Sequence, residues 1–160
     1  MMDQYQEMLY WHIRRLVVSH EDAEDALQET FIRAYRSMDK FKGESKIATW
    51  LFRIATNEAL RIIERRRQPT LSLDDTAGIT QIAAPKADAG IDYGDRAALL
   101  LQKAILTLPT KQQLAFNMRY YDEMSFADIA EATGSTTASV KQNYHIAKDK
   151  IIKYVNSHEQ

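Results

Sequence analysis

Apolar residues recur at spacings of three and four through most of this 160-residue chain, the period of one face of an α-helix. Tyr5, Met8, Leu9, Ile13, Leu16 and Val17 predict a first helix over 3–18. Ser19 is placed to cap a second, with Asp22 three residues on as an approximate capping box. Glu21, Asp22, Glu24 and Asp25 crowd its first turn, where the helix dipole favours anions. Ala23, Ala26, Leu27, Thr30, Phe31, Ala34, Tyr35 and Met38 predict its buried stripe over 20–38. The opposite face carries Asp25, Gln28, Glu29, Ile32, Arg33 and Arg36. A short polar loop, 41–46, then leads into a helix over 47–67 whose apolar arc is Ile47, Leu51, Ile54, Ala55, Ala59 and Ile62. Trp50, Arg53, Asn57 and Arg61 line up beside that arc at helical spacing and share one face. The helix ends on Arg65, Arg66 and Arg67, and Pro69 stops it.

Residues 69–92 break every period. They hold two of the three prolines, two of the five glycines, and many small or acidic residues. A stretch of that length without structure is long for a loop inside one compact domain, so it reads as a flexible linker. Helical pattern resumes over 93–107 on Ala97, Leu100, Leu101, Ala104, Ile105 and Leu108. After Pro109, Thr110 and Gln113 form a second candidate capping box, and a helix runs to about Tyr121. Ser125 with Asp128 opens a short helix, FADIAEAT, that Gly134 can close with a positive φ. Ser135, Thr136 and Thr137 can cap a last helix over 137–155. Val140, Tyr144, Ala147, Ile151 and Tyr154 face inward on it. Lys141, Gln142, His145 and Lys148 face outward, with Thr137 and Ser139 at its N-terminal end. A short helix, a glycine turn and a second helix make the helix-turn-helix pattern. The predicted fold is all-α, two small helical bundles joined by a flexible linker. The divisions are 1–68, 69–92 and 93–160, the last a helix-turn-helix domain.

Composition agrees with helices and excludes several functions. Gly and Pro are scarce and 45% of residues are apolar, enough for a packed core. With no cysteine, disulfides, thiolate nucleophiles and cysteine zinc sites are excluded. No apolar run reaches membrane-spanning length, and MMDQYQEML lacks the signal-peptide pattern. A cytoplasmic protein without membrane insertion is expected. There is no Gly-rich phosphate loop, no Gly-x-Ser-x-Gly, and no His pair at metal spacing; His12, His20, His145 and His158 are scattered. Neither an enzyme nor a cofactor or metal is expected.

The net charge of −1 conceals a pattern. Residues 1–30 carry 2 basic and 7 acidic side chains, 31–68 carry 10 and 4, 69–95 carry 1 and 5, and 96–160 carry 8 and 6. A basic block between acidic ones points to different partners for different segments. It also argues against tight duplex binding by the chain alone, since that affinity comes mostly from neutralising phosphates. In the basic block, an aromatic, an amide and several guanidiniums share one stripe. Aromatic faces stack on bases, amides bond base edges and Arg grips phosphate. Simple packing explains Phe41 and Trp50 equally well, and Asp25 also suits its own helix dipole. In the second bundle, the N-terminal part of a recognition helix sits in the major groove. Its outward side chains here are types that reach base edges or phosphates.

Three strings together resemble one family. HEDAEDALQETFIRAYR (20–36), FKGESKIATWLFRIATNEALRIIERRR (41–67) and LPTKQQLAFNMRYYDEMSFADIAEATGSTTASVKQNYHIAKDKI (108–151) are similar to segments of the extracytoplasmic-function sigma factors of bacterial RNA polymerase. The resemblance covers 1–67 and 95–155. It implies a factor that binds core polymerase and directs initiation at promoters with −35 and −10 elements. It assigns Asp25, Gln28, Glu29, Ile32, Arg33 and Arg36 to the clamp helices of the polymerase's largest subunit. Phe41, Lys42, Gly43, Lys46, Trp50, Arg53, Asn57 and Arg61 fall to the −10 element held as a single strand. Thr137, Ser139, Lys141, Gln142, His145 and Lys148 fall to the −35 element. It further implies contact with the flap of the second-largest subunit, control by an anti-sigma factor, and passage of the acidic linker toward the RNA exit path.

The chain departs from the family in a short N-terminus and in a less basic recognition helix. Asn143, Ile146 and Lys148 stand there in place of arginines common in the family. An interaction module that binds polymerase or an anti-sigma factor without activating promoters is the alternative reading. A stand-alone helix-turn-helix repressor is a third, and the bundle 1–67 does not call for it.

Overall fold

The computed structural model describes residues 3–41, 43, 46–66 and 95–158. Lys42, Arg67 and the expected linker 69–92 lie outside these residues. Among the described residues the elements are α1 (Asp3–Val17), α2 (His20–Arg36), a 3₁₀ turn (Met38–Lys40), α3 (Ile47–Arg66), α4 (Arg96–Leu106), α5 (Thr110–Tyr120), α6 (Phe126–Thr133) and α7 (Thr137–His158). They form an all-α molecule, α1–α3 in one bundle and α4–α7 in the other.

The apolar periods set the first bundle. Leu9, Ile13, Leu16 and Val17 of α1 meet Ala23, Ala26, Leu27 and Ala34 of α2 and Leu51, Ala55, Ala59 and Ile62 of α3 in one core. Ser19 caps α2 by accepting from the Asp22 N–H at 3.3 Å. The reciprocal half of the expected box is missing. The Asp22 carboxylate instead pairs with Arg66 at the far end of α3, which fastens the start of one helix to the end of another. Met8, Tyr35 and Met38, expected inside, are exposed. Tyr35 and Met38 sit at the edge of the α2 stripe, beyond the reach of α1 and α3.

The helix-turn-helix forms as its sequence predicts. Ser125 Oγ accepts from the Asp128 N–H at 3.0 Å and opens α6. Gly134 closes it at φ 71°. Thr136 Oγ1 then accepts from the Ser139 N–H at 3.1 Å and opens α7. The α5 box is not made: Pro109 is the cap residue, and the Gln113 amide donates to the Leu108 carbonyl at 2.9 Å. The α4 helix begins later than its apolar pattern suggests, at Arg96 behind an Asp95 cap. Ala97 on its first turn is exposed.

The two bundles also pack on each other. Leu114, Ala115, Met118, Met124, Ile129, Ala130, Ala132 and Val140 of the second join the core of the first without a break. A separate cluster of Ala104, Ile105, Leu108, Phe116, Ala147 and Ile151 lies deeper in the second bundle. The α3 helix contacts α1, α2 and α6 and is buried around roughly half its circumference. Thr49, Phe52 and Thr56, outside the predicted apolar arc, are thereby buried too.

No atom lies within 4 Å of where a Cβ on Gly134 would sit, so only the left-handed backbone demands glycine there. Gly134→Ala is therefore expected to cost about 1 kcal/mol in denaturant unfolding, and Gly134→Asn less, since Asn tolerates this conformation.

Candidate interaction surfaces for nucleic acid and protein

The three sets of residues marked by sequence lie on three surfaces. The first is the outer strip of α2. Asp25, Gln28, Ile32 and Arg36 are exposed along it, and Tyr35 beside them is 77% exposed. With Phe31 they line a shallow groove. Sequence reasoning placed Tyr35 in the core. Its position four residues from Phe31 and three from Ile32, at the border of stripe and polar face, was the available signal.

Glu29 and Arg33 belong to the flank of that strip. Arg33 Nε lies 3.2 Å from Glu29 and 2.8 Å from Glu58 Oε2, in ion-pair range though not aligned for a hydrogen bond with Glu58. Glu58 is 7% exposed in the middle of α3. Arg61 Nη1 donates to the same Oε2 at 3.1 Å. A buried carboxylate needs such partners, because an uncompensated charge inside a protein is costly. Glu58 therefore ties an arginine of α2 to an arginine of α3. It lies within the angular span of the apolar arc, between Ile47 and Leu51 on the helix wheel, and that intrusion was its sequence signal.

The second surface is the open half of α3 with the loop before it. Arg53 and Asn57 project into solvent, and Arg61 does so while bonded to Glu58. Trp50 is half-buried. The Phe41 ring packs on it with centroids 5.0 Å apart and planes 33° apart, so each aromatic holds the other in place. Gly43 has φ 73° with open space where a Cβ would stand. The loop needs glycine there for its backbone turn. Lys46 is exposed and pairs with Asp128 on α6 at 3.2 Å.

The third surface is the outer face of α7. Thr137, Lys141, Gln142, His145 and Lys148 are exposed, and Ser139 is half-buried next to its cap. Asn143 and Ile146 are half-buried as well, so their lack of charge fits their position. Among the described residues no group of His, Asp and Glu could hold a metal ion, and no helix is long and apolar enough to cross a membrane.

Comparison with known proteins bears on both halves. Residues 1–68 match the family model for sigma-70 region 2, and 98–151 match that for sigma-70 region 4. The chain is 33% identical to the ECF RNA polymerase sigma factor SigW of Bacillus subtilis (strain 168), covering 95% of this chain and 85% of that one. It belongs to the ECF RNA polymerase sigma factors. It is also 32% identical to the RNA polymerase sigma-H factor of Pseudomonas aeruginosa, over 93% of this chain and 81% of that protein. The fold matches RpoE of Bartonella quintana, solved with the anti-sigma factor NepR, at a TM-score of 0.76 and 22% identity, covering 97% and 94% of the two chains. It matches CnrH, solved with the cytosolic domain of CnrY, at 0.69 and 20%, covering 98% and 85%. As an ECF sigma factor the chain is an alternative sigma factor that directs promoter-specific transcription initiation.

The buried position of Glu58 gives a stability prediction. Glu58→Ala is expected to lower stability by roughly 1–2 kcal/mol, through two weakened arginines and one carboxylate removed. Glu64→Ala, at an exposed site of the same helix, is expected to change it by less than about 0.5 kcal/mol. Urea unfolding of the two variants makes the comparison.

Proposed function

We propose that the three surfaces divide the work of initiation as follows. The α2 strip docks on the clamp helices of the largest polymerase subunit. Asp25, Gln28, Ile32 and Arg36 make the contact together with Tyr35, and Glu29 and Arg33 border it. A large amphipathic ring at the centre of a partly apolar strip is the side-chain type that dominates protein interfaces.

The observation that carries this reading is the open half of α3. Arg53, Asn57 and Arg61 form a polar stripe next to the paired rings of Phe41 and Trp50. That stripe, with Gly43, Lys42 and Lys46 of the loop, holds the −10 element as one melted strand. Unpairing and extruding a base costs a few kcal/mol, and stacking and hydrogen bonds to the base must offset it. Fixed aromatic rings suit that task because little side-chain freedom remains to be lost on binding. The outer face of α7 reads the −35 element. Thr137, Ser139, Gln142 and His145 lie toward base edges, while Lys141 and Lys148 meet phosphates.

Residues 1–68 are the polymerase and −10 domain, 69–92 the acidic linker and 93–160 the −35 domain, which also rests on the flap of the second-largest subunit. The factor is not an enzyme; catalysis belongs to the polymerase it joins. It works in the cytoplasm, under an anti-sigma factor of the kind that RpoE carries in its complex.

Two substitutions separate the roles. Tyr35→Ala should weaken binding to core polymerase by about tenfold in a fluorescence titration. Asn57→Ala should leave that binding intact and reduce open-complex formation at a cognate promoter. Normal open complexes with Asn57→Ala would remove the assigned role of the stripe. Core binding without any promoter-directed transcript would favour the interaction-module reading.

A further inference from the structure

The stripe on α3 carries two arginines in unlike settings. Arg53 is exposed and makes no ion pair among the described residues. Arg61 is also exposed, but it is held: its Nη1 donates to Glu58 Oε2 at 3.1 Å. Glu58 is buried three residues earlier on the same helix. Arg33 of α2 brings its Nε to within 2.8 Å of the same Oε2. That Nε is shut off from solvent, and Glu29 Oε1 stands 3.2 Å from it. Burial and Arg33 therefore fix the carboxylate, and the carboxylate fixes Arg61.

The surroundings make this arginine a poor grip for phosphate. Asp25 and Glu64 line the same crease between α2 and α3, so with Glu29 and Glu58 four carboxylates stand against Arg33, Arg61 and Arg65 there. A crease with more acids than bases does not gather anions. The paired guanidinium has also lost the freedom to follow a moving backbone. What it keeps is its planar fork, with the Nε and Nη2 donors left for a ligand. An arginine offers donors only, so the fork matches a base edge with two neighbouring acceptors, such as guanine O6 and N7.

Holding the fork in advance has two effects. Less side-chain freedom is lost when the base arrives. Discrimination also rises, because reaching aside for a wrong base breaks the pair and leaves Glu58 buried without one of its cations.

Resting on the −10 reading of the stripe, we propose that Glu58 is a positioning residue that makes Arg61 a reader of one base in the melted strand rather than a grip on phosphate. Arg33 sets Glu58, Glu58 sets Arg61, and the outer edge of Arg61 meets a base with two adjacent acceptors. Arg53, which can follow the strand, takes the phosphate contact beside it.

Holoenzyme assembled from core polymerase and the full-length chain is offered a pool of single-stranded DNA with a randomised central stretch, and the bound fraction is sequenced. The parent should enrich a defined sequence. Glu58→Gln keeps the side chain's size and an acceptor oxygen but removes the charge. It should lower the preference at a single position by about fivefold or more, with core binding and helix content unchanged. Binding to a strand of thymidines should hold or strengthen, and its log–log salt dependence should steepen by about 0.7, the value for one more cation on a single strand. Arg61→Ala should flatten the same position, and Glu58→Gln added to it should change that position no further.

The positioning role is overturned if Glu58→Gln keeps the parent's preference at every position. It is also overturned if the variant weakens all sequences equally, as a merely structural role would, or if its effect persists in the Arg61→Ala background. Asn57→Ala separates this result from the reading beneath it. A parent with no sequence preference, or a preference untouched by Asn57→Ala, removes the −10 role of α3 and the proposal with it. A preference weakened by Asn57→Ala but kept by Glu58→Gln overturns the positioning role alone.

Discussion

Everything in this molecule depends on how the circumference of α3 is shared. About half of it is given to packing against α1, α2 and α6, and the other half is left open to solvent. The buried half holds Leu51, Ala55, Ala59 and Ile62 toward the first core and Phe52 and Thr56 beyond them. The open half is polar without interruption from Arg53 through Asn57 to Arg61. A helix gripped so widely cannot roll, so the open stripe is presented at a fixed angle. Preorganisation of this kind suits the role proposed for the stripe, because unstacking a base is costly.

The charged groups follow from the same division. Glu58 faces the crease between α2 and α3, where Arg33 and Arg61 converge on one oxygen. Asp22 and Arg66 close the other end of that crease. These pairs tie α2 to α3, so under the proposed roles a contact at α2 would also fix the place of the α3 stripe. The basic character of residues 31–68 is thus partly internal. Arg33 and Arg61 answer the buried Glu58 and Arg66 answers the half-exposed Asp22, so these charges already have partners within the chain.

Much of this was legible in the chain, because amphipathic period and capping chemistry are local. Ser19, Ser125 and Gly134 mark helix ends in the sequence and mark them in the structure. The outward face of α7 and the stripe on α3 follow from spacing alone. What local pattern hid was tertiary. Tyr35 looked like core because it borders a buried stripe, but no helix lies opposite it. Thr49 and Phe52 lie outside the predicted arc and are buried all the same, Phe52 with its ring against His12 of α1. Asp122 and His12 gave no signal, being 110 residues apart in numbering and paired only in the fold. The capping boxes at Asp22 and Gln113 failed for a similar reason, since each side chain found a better partner elsewhere.

The central claim is that the open stripe of α3 engages one melted promoter strand, and does so on polymerase. Site-specific photocrosslinking from position 57, in a chain carrying a photoreactive residue in place of Asn57, tests it most directly. The expected result is crosslinking to a single strand within the −10 element, present with core polymerase and absent without it. Crosslinks that fall equally on both strands, or that form on duplex promoter without polymerase, would contradict the claim.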